Sequence, residues 1–480
     1  MKKSEVDKKS NNYKDGTRLL QVLVIIGVLF LILVAYLTYL EIFAKEDYIN
    51  NSFNQRQWKQ EENTLRGDIV DRDGELIATS YMSEGTQLRE YKYGKMYAHT
   101  VGYNSKVYGK SQLELTYNKN LAGLSEMSNF TDIKATFTEE KKGDTVHLTI
   151  SHKLQEKAFS ALGNRAGAVV AMNPETGEVL CMASTPSFNP ESNSLSQNWD
   201  SLNSGNDSPF LNRAVNGLYA PGSIFKTIIL SAALENGLEN FEIEDNGVIE
   251  IGGREYHNAK SKAYGHLDLK KAFAVSSNVA FISISQELGE DIVKQYMKKF
   301  RIGEKIKFDI PVTSSRYDFK EKIYPVDLAQ LSIGQWKLQV TPLQMAMMVS
   351  TIANNGVVEK PYMVKKVANS TGITVVNNRS ENLGRAISSL TAKTIQDFMI
   401  EAVDNGTAGN AAVSGLKVGG KTGTAENERE GKEHAWFVGF AEENDKKIAV
   451  AVILEYDGGS GGGSAAPVAR EIFKVWKNEN

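Results

Sequence analysis

The sequence predicts a mixed α/β chain behind a single membrane-spanning helix, and three observations carry that expectation. Leu19 to Leu40 is almost wholly apolar, with Gln21 and Thr38 as its only clearly polar side chains. Two short apolar runs, Ala168 to Met172 and Glu178 to Ala183, flank the turn cluster Asn173-Pro174-Glu175-Thr176-Gly177, which is a hairpin signal. Beyond the hairpin, helical periodicities alternate with strand-like runs.

At 1.5 Å rise per residue the run Leu19–Leu40 spans about 33 Å, enough to cross a hydrocarbon core. A cleaved signal peptide would show an apolar region of about 7–15 residues and a small-x-small exit. This run is longer, and Ile42-Phe43-Ala44 lacks the first small residue, so an uncleaved anchor is expected. Lys2, Lys3, Lys8, Lys9, Lys14 and Arg18 precede the run, and only Lys45, Arg56 and Lys59 follow it closely. The positive-inside rule then places residues 1–18 in the cytoplasm as a tail, 19–40 in the membrane and the rest outside.

From Gln55 to about Thr149 the chain is rich in charge, Gly and Tyr, with short strand-like runs at Gly67–Val70 and Thr145–Ile150. Ser151 to Leu162 reads as a capped amphipathic helix. Ser223 to Glu235, Leu269 to Leu288 and Pro342 to Asn354 read as helices, Trp436–Phe440 and Lys447–Glu455 as strands. Gly458–Ser464 is expected as a mobile loop inside the fold, because Ala466–Trp476 behind it is again amphipathic. A boundary near Ile150 divides 480 residues into more than one unit.

Composition excludes several function classes. A net charge of −3 gives no electrostatic case for nucleic-acid binding. The one cysteine, Cys181, can form no internal disulfide, and with six scattered histidines the chain offers no multi-cysteine or His-rich metal site. Between Leu180 and Met182, Cys181 reads as a buried apolar position.

Three short motifs carry the chemistry: Ser223-Ile224-Phe225-Lys226, Ser276-Ser277-Asn278 and Lys421-Thr422-Gly423. Each alone arises by chance in a chain this long; their order and contexts are what inform. Pro221-Gly222 precedes Ser223, which puts the serine at a helix start, where free N–H groups favour developing negative charge. Lys226 falls three residues on, on the same helical face, and can take the serine proton if burial and nearby cations lower its pKa. Ser276 and Asn278 interrupt an apolar helical stretch, Ala272 to Ile284, where polar side chains need partners. Val418-Gly419-Gly420 before Lys421 would let a ligand approach the strand backbone. Gly458-Gly459-Ser460-Gly461-Gly462 formally matches a hydrolase elbow but has no strand leading tightly into it, and His434 reads as a partly exposed strand histidine.

Taken together the motifs resemble those of the serine acyltransferases that include penicillin-binding proteins and β-lactamases. Roughly residues 60 to 475 resemble the class B penicillin-binding proteins in particular. Arg66-Gly67-Asp68-Ile69-Val70-Asp71-Arg72-Asp73-Gly74 is similar to their N-terminal signature. So are Asn212-Arg213-Ala214, Tyr219 to Ser223, Ser332-Ile333-Gly334-Gln335, Thr341 to Ala346, Gly420 to Glu426 and Trp436 to Phe440. The chain departs from them at Trp336, where a glycine is usual, and resembles the short members without C-terminal repeats.

The resemblance implies an α/β (α+β) transpeptidase fold, a five-stranded antiparallel sheet flanked by helices at 156–480, on a non-catalytic pedestal at 45–155. It implies that Ser223 attacks a D-Ala-D-Ala stem peptide, Lys226 acts as base, Ser276 relays protons and Asn278 holds the substrate amide and Lys226. Lys421, Thr422, Gly423 and Thr424 would form the substrate-binding strand, with the Ser223 and Thr424 N–H groups as oxyanion hole. No metal or cofactor is implied. The partners implied are peptidoglycan stem peptides, β-lactams and a polytopic glycosyltransferase of the shape, elongation, division and sporulation family. Two rivals share the fold: a D,D-carboxypeptidase or β-lactamase that uses water, and a penicillin-binding sensor or scaffold without turnover.

Overall fold

The computed structural model describes residues 3–44, 58, 61, 64–125, 141–427 and 432–479, in two units: residues 1–60 with 106–109, and the remainder. In the first, a helix runs over Lys3–Tyr39 and ends in a π-turn, Leu40–Ala44. Its apolar part covers Thr17–Phe43, slightly longer than the expected 19–40. Side chains such as Phe30 and Leu31 stand exposed, as a lipid-facing surface requires. Thr38 Oγ1 donates to Val34 O at 2.8 Å, so the hydroxyl inside the apolar run is satisfied by its own helix. Lys2, Lys45, Arg56 and Lys59, and the start of the segment expected from 45, lie outside the described residues.

The second unit holds two large sheets. One is six-stranded, in the order Thr374–Asn377, Val364–Ala368, Thr145–Leu148, Ile69–Val70, Leu76–Ser83, Thr86–Tyr91. Ile69–Val70 and Thr145–Leu148 pair in parallel, the rest antiparallel. Two of its strands thus come from far beyond residue 155. The Asp309 carboxylate ties the return in place, accepting from Met363 N–H at 2.7 Å, Val364 N–H at 3.0 Å and Tyr117 O–H at 2.6 Å.

The residues of the Arg66–Gly74 signature build this sheet's foundation. Buried Glu114 receives Arg66 Nε at 2.6 Å and Arg89 Nε at 2.8 Å. Burial alone would raise its pKa, but the two guanidiniums outweigh it and hold the carboxyl below its ordinary value. Asp71 Oδ1 accepts from the Asp73 and Glu75 N–H groups, each at 2.8 Å, closing the turn that starts the next strand. Gly67 has no room for a side chain: a Cβ there would stand 1.9 Å from Asp144 O.

The other sheet is five-stranded and antiparallel throughout, ordered Lys417–Ala425, His434–Glu443, Lys446–Leu454, Gly167–Met172, Val179–Thr185. Helices cover both faces. Val169 and Ala171 pack with the helices His152–Leu162 and Ala466–Glu479, while Ala168, Val170 and Met172 pack into the larger core with Ile228 and Met345. Burial on both faces explains why these strands are continuous apolar runs rather than alternating ones. The helix expected from Ser151 starts at His152, with Ser151 Oγ accepting from Leu154 N–H at 3.3 Å. Lys417–Ala425 is an edge strand, and its outer rim faces the site.

Candidate active site

Three elements converge on one cleft of about 1120 Å³, whose lining includes Ser223, Ser276, Asn278, Thr422 and Thr424. Ser223 lies in a 3-10 turn, Gly222–Phe225, that runs directly into the α-helix Lys226–Glu235. Gly222 has φ +58°, and a Cβ on it would meet Thr424 O at 2.7 Å, so only glycine lets the turn seat against the edge strand. Its N–H donates to Gly334 O at 2.9 Å. The approach is anchored on the other side by Tyr219, which exchanges two backbone hydrogen bonds with Val340 and donates its O–H to Glu455 at 2.5 Å. Arg213 Nε also meets Glu455, at 2.9 Å. Trp436 Nε1 donates to Ala220 O at 3.0 Å. The scattered segments Asn212–Ala214, Ser332–Gln335 and Trp436–Phe440 therefore act on one loop.

The helix expected to run unbroken through Ala272–Ile284 stops and restarts at the motif. The first helix, Leu269–Val275, ends at Ser276 with φ +62°, and the second, Asn278–Lys299, begins after its N-cap Ser277. The break presents both the carbonyl and the hydroxyl of Ser276 to one lysine amine. Lys226 Nζ donates to Ser276 O at 2.8 Å, Ser276 Oγ at 3.3 Å and Asn278 Oδ1 at 2.6 Å.

Behind the turn lies a group that the motifs do not reveal. Buried Asp245 accepts from Ser277 Oγ at 2.6 Å, Gly247 N–H at 2.8 Å and Asn258 Nδ2 at 2.9 Å. Asn258 Oδ1 accepts in turn from Asn278 N–H at 2.7 Å, and Asn278 Nδ2 donates to His257 O at 2.8 Å. The only sequence hint was Ser277, a polar residue with no assigned role between two assigned ones.

Lys421, fully buried, donates from Nζ to Ser276 Oγ at 2.8 Å and to Thr422 O at 3.1 Å. Ser276 Oγ thus bridges the two lysines. Burial lowers the Lys226 pKa well below its ordinary value; the Lys421 charge lowers it further, and Asp245 opposes without prevailing. Burial brings Lys421 down to about 7.

On the edge strand, Thr424 is exposed to the cleft while Thr422 shares a hydroxyl hydrogen bond with Thr407 at 2.8 Å. The glycines do something other than open the strand to a ligand. Phe440 and Phe437 fill the positions of Cβ atoms on Gly419 and Gly420, at 2.5 Å each. Gly423 makes room for the nucleophile turn, with Pro221 O at 3.0 Å and Ile224 Cγ2 at 3.1 Å from its missing Cβ. The Gly458–Ser464 stretch is a close-packed turn rather than a mobile loop: Ser460 Oγ caps it at Gly463 N–H, and a Cβ on Gly461 would stand 2.2 Å from Trp436 O. His434 is buried, not partly exposed, with Nδ1 accepting from Tyr456 N–H at 3.1 Å. Cys181 is buried as expected.

The family model described as the penicillin-binding protein transpeptidase domain matches residues 167–474. The chain belongs to that family. A second model, the penicillin-binding protein A dimerisation domain, matches residues 66–146. Among relatives of this penicillin-binding protein, the peptidoglycan D,D-transpeptidase PbpA of Mycolicibacterium smegmatis is 32% identical over 95% of this chain and 98% of its own. The penicillin G acyl-enzyme complex of penicillin-binding protein A from M. tuberculosis superposes with a TM-score of 0.81, at 28% identity over 86% of this chain and 100% of that one. A D,D-transpeptidase domain from Eggerthella lenta gives 0.78, at 34% identity over 87% and 99%.

Proposed function

We propose that this penicillin-binding protein is a peptidoglycan D,D-transpeptidase working through an acyl-enzyme on Ser223. The observation that carries the reading is the chain Lys226–Ser276–Lys421, two buried lysines bridged by a hydroxyl beside a cleft-facing serine three residues from Lys226. Ser223 Oγ forms a bond to the donor carbonyl and gives its proton to the Lys226 amine, whose lowered pKa supplies the neutral base. The amide C–N bond then breaks, and the leaving D-Ala amine takes a proton through the Ser276 hydroxyl. An acceptor-strand amine next attacks the ester, gives up its proton by the same route, and releases Ser223 with the cross-link formed.

The donor peptide would lie along the edge strand, whose outer side has no strand partner among the described residues. Thr422 and Thr424 would hold the terminal carboxylate, and Lys421 would add positive potential. Asn278 would fix both Lys226 and the substrate amide, Gly423 would keep strand and nucleophile turn together, and the Ser223 and Thr424 N–H groups would face the oxyanion.

Residues 156–480 would be the transpeptidase domain and 45–155 the pedestal. The apolar Thr17–Phe43 helix fits a membrane anchor, and the basic residues before it support a cytoplasmic N-terminus with the cleft outside. A polytopic glycosyltransferase of the shape, elongation, division and sporulation family would be the partner in the membrane.

The test is intact-mass analysis with peptide mapping after exposure to a fluorescent penicillin, together with incubation with donor and acceptor stem peptides. An adduct on Ser223, absent in Ser223→Ala, with a cross-linked product, is the expected result. Labelling elsewhere overturns the mechanism. Hydrolysis of the donor without cross-linking supports the carboxypeptidase rival, and labelling with no turnover supports the sensor.

A further inference from the structure

Trp336 has φ +67°. That left-handed backbone region is open to glycine and costs strain for a bulky side chain, so such an outlier at a functional cleft asks for an explanation. The residue lies two positions after Gly334, whose carbonyl holds the N–H of Gly222 next to the nucleophile. Its half-buried side chain lines the same cleft as Ser223.

A chain of close contacts ties its segment to the nucleophile turn. A Cβ on Gly334 would stand 2.0 Å from Gly222 O, and one on Gly222 would stand 2.7 Å from Thr424 O. The Trp336 segment is therefore packed on the nucleophile turn, which itself packs on Gly423 and Thr424 of the edge strand. In the reading above, Thr422 and Thr424 hold the leaving group's carboxylate, so the retained acyl group shares the rest of the cleft, which Trp336 helps to line.

The indole is also braced. Its ring lies edge-on to Tyr317 with centroids 6.2 Å apart, and Tyr317 packs on Phe319 at 4.8 Å.

We propose that Trp336 is a specificity-determining residue: its indole is a wall of the cleft beside Ser223 that admits compact acyl groups and slows bulky ones. The proposal rests on the acyl-enzyme reading. It predicts that removing the indole widens the cleft without unfolding the chain, because glycine adopts φ +67° freely.

The experiment compares second-order acylation rates of the full chain in detergent with two β-lactams. One is 6-aminopenicillanic acid, which carries only an amine on the lactam ring; the other is a cephalosporin with a branched aminothiazole-oxime side chain. In Trp336→Gly the bulky-to-compact rate ratio is expected to rise at least about tenfold, the order set by one or two methylene-sized contacts in a pocket. Trp336→Phe, which keeps an aromatic wall, is expected to fall between. Ser223 adducts formed at the same ratio in all three proteins overturn this proposal alone. Absence of any Ser223 adduct in the unaltered chain overturns the acyl-enzyme reading and this proposal with it.

Discussion

Replacing Asp245 by alanine tests whether the buried network behind the Ser276 turn sets the geometry of the base. The carboxylate is fully buried and receives Ser277 Oγ, Gly247 N–H and Asn258 Nδ2. Asp245→Ala leaves those three donors unmet in a dry site, at about 1–3 kcal/mol each. Roughly 3 kcal/mol is then a floor for the loss of stability. With an unfolding entropy of about 2.1 cal/mol/K per residue over roughly 400 residues, the midpoint falls by about 4 °C.

The effect on chemistry has a sign of its own. Asp245 raises the Lys226 pKa, so its removal keeps Lys226 neutral to still lower pH and cannot cost the base its lone pair. Any loss of acylation must come from position. Asn258 orients the Asn278 N–H, and Asn278 Oδ1 sits 2.6 Å from Lys226 Nζ. A shift approaching 1 Å there slows acylation by about 10²-fold. The assay is thermal unfolding beside a pH profile of fluorescent-penicillin acylation. A slower reaction, with the alkaline-rising limb moved to lower pH and the midpoint reduced, is the expected result. An unchanged midpoint, or a limb moved to higher pH, would refute the argument.

Lys226→Ala should slow Ser223 acylation by about 10²–10⁴-fold, the usual loss for a general base, as read by adduct mass against time; unchanged labelling would remove Lys226 from the mechanism. Stability should rise with pH above neutrality, because folded Lys421 releases its proton near 7 while the unfolded side chain holds it to about 10.4. Unfolding midpoints from pH 7 to 9 should climb less steeply in Lys421→Met, and equal slopes would contradict the shift. Protease added to intact protoplasts should shave the chain beyond Leu40 and leave an N-terminal fragment; protection alongside cut controls would reverse the proposed topology.

Some of this protein is fixed by local chemistry and so is legible in the chain. The apolar run near Leu19–Leu40 is long enough by itself, and Ser151 announces a helix start because an N-cap needs only its own next three residues. The hairpin around Asn173–Gly177 follows from turn chemistry of the same short range. The motifs Ser223–Lys226, Ser276–Asn278 and Lys421–Gly423 name the reacting groups, because their spacing is set within one turn or one strand.

Tertiary structure decided what depends on distant neighbours. The break at Ser276 could not be read from an apolar helical stretch, since the left-handed residue is held by Lys226 from another helix and by Asp245 through Ser277. Gly419 and Gly420 looked like room for a ligand, but Phe440 and Phe437 across the strand pair take that space. The Gly458–Ser464 stretch looked mobile by composition, yet glycine there lets the turn pack within 2.2 Å of where a Cβ would stand against Trp436 O. Sequence records which atoms a residue carries; whether a glycine is slack or a close fit, and whether a serine's backbone is helical or left-handed, depends on what the fold brings against it.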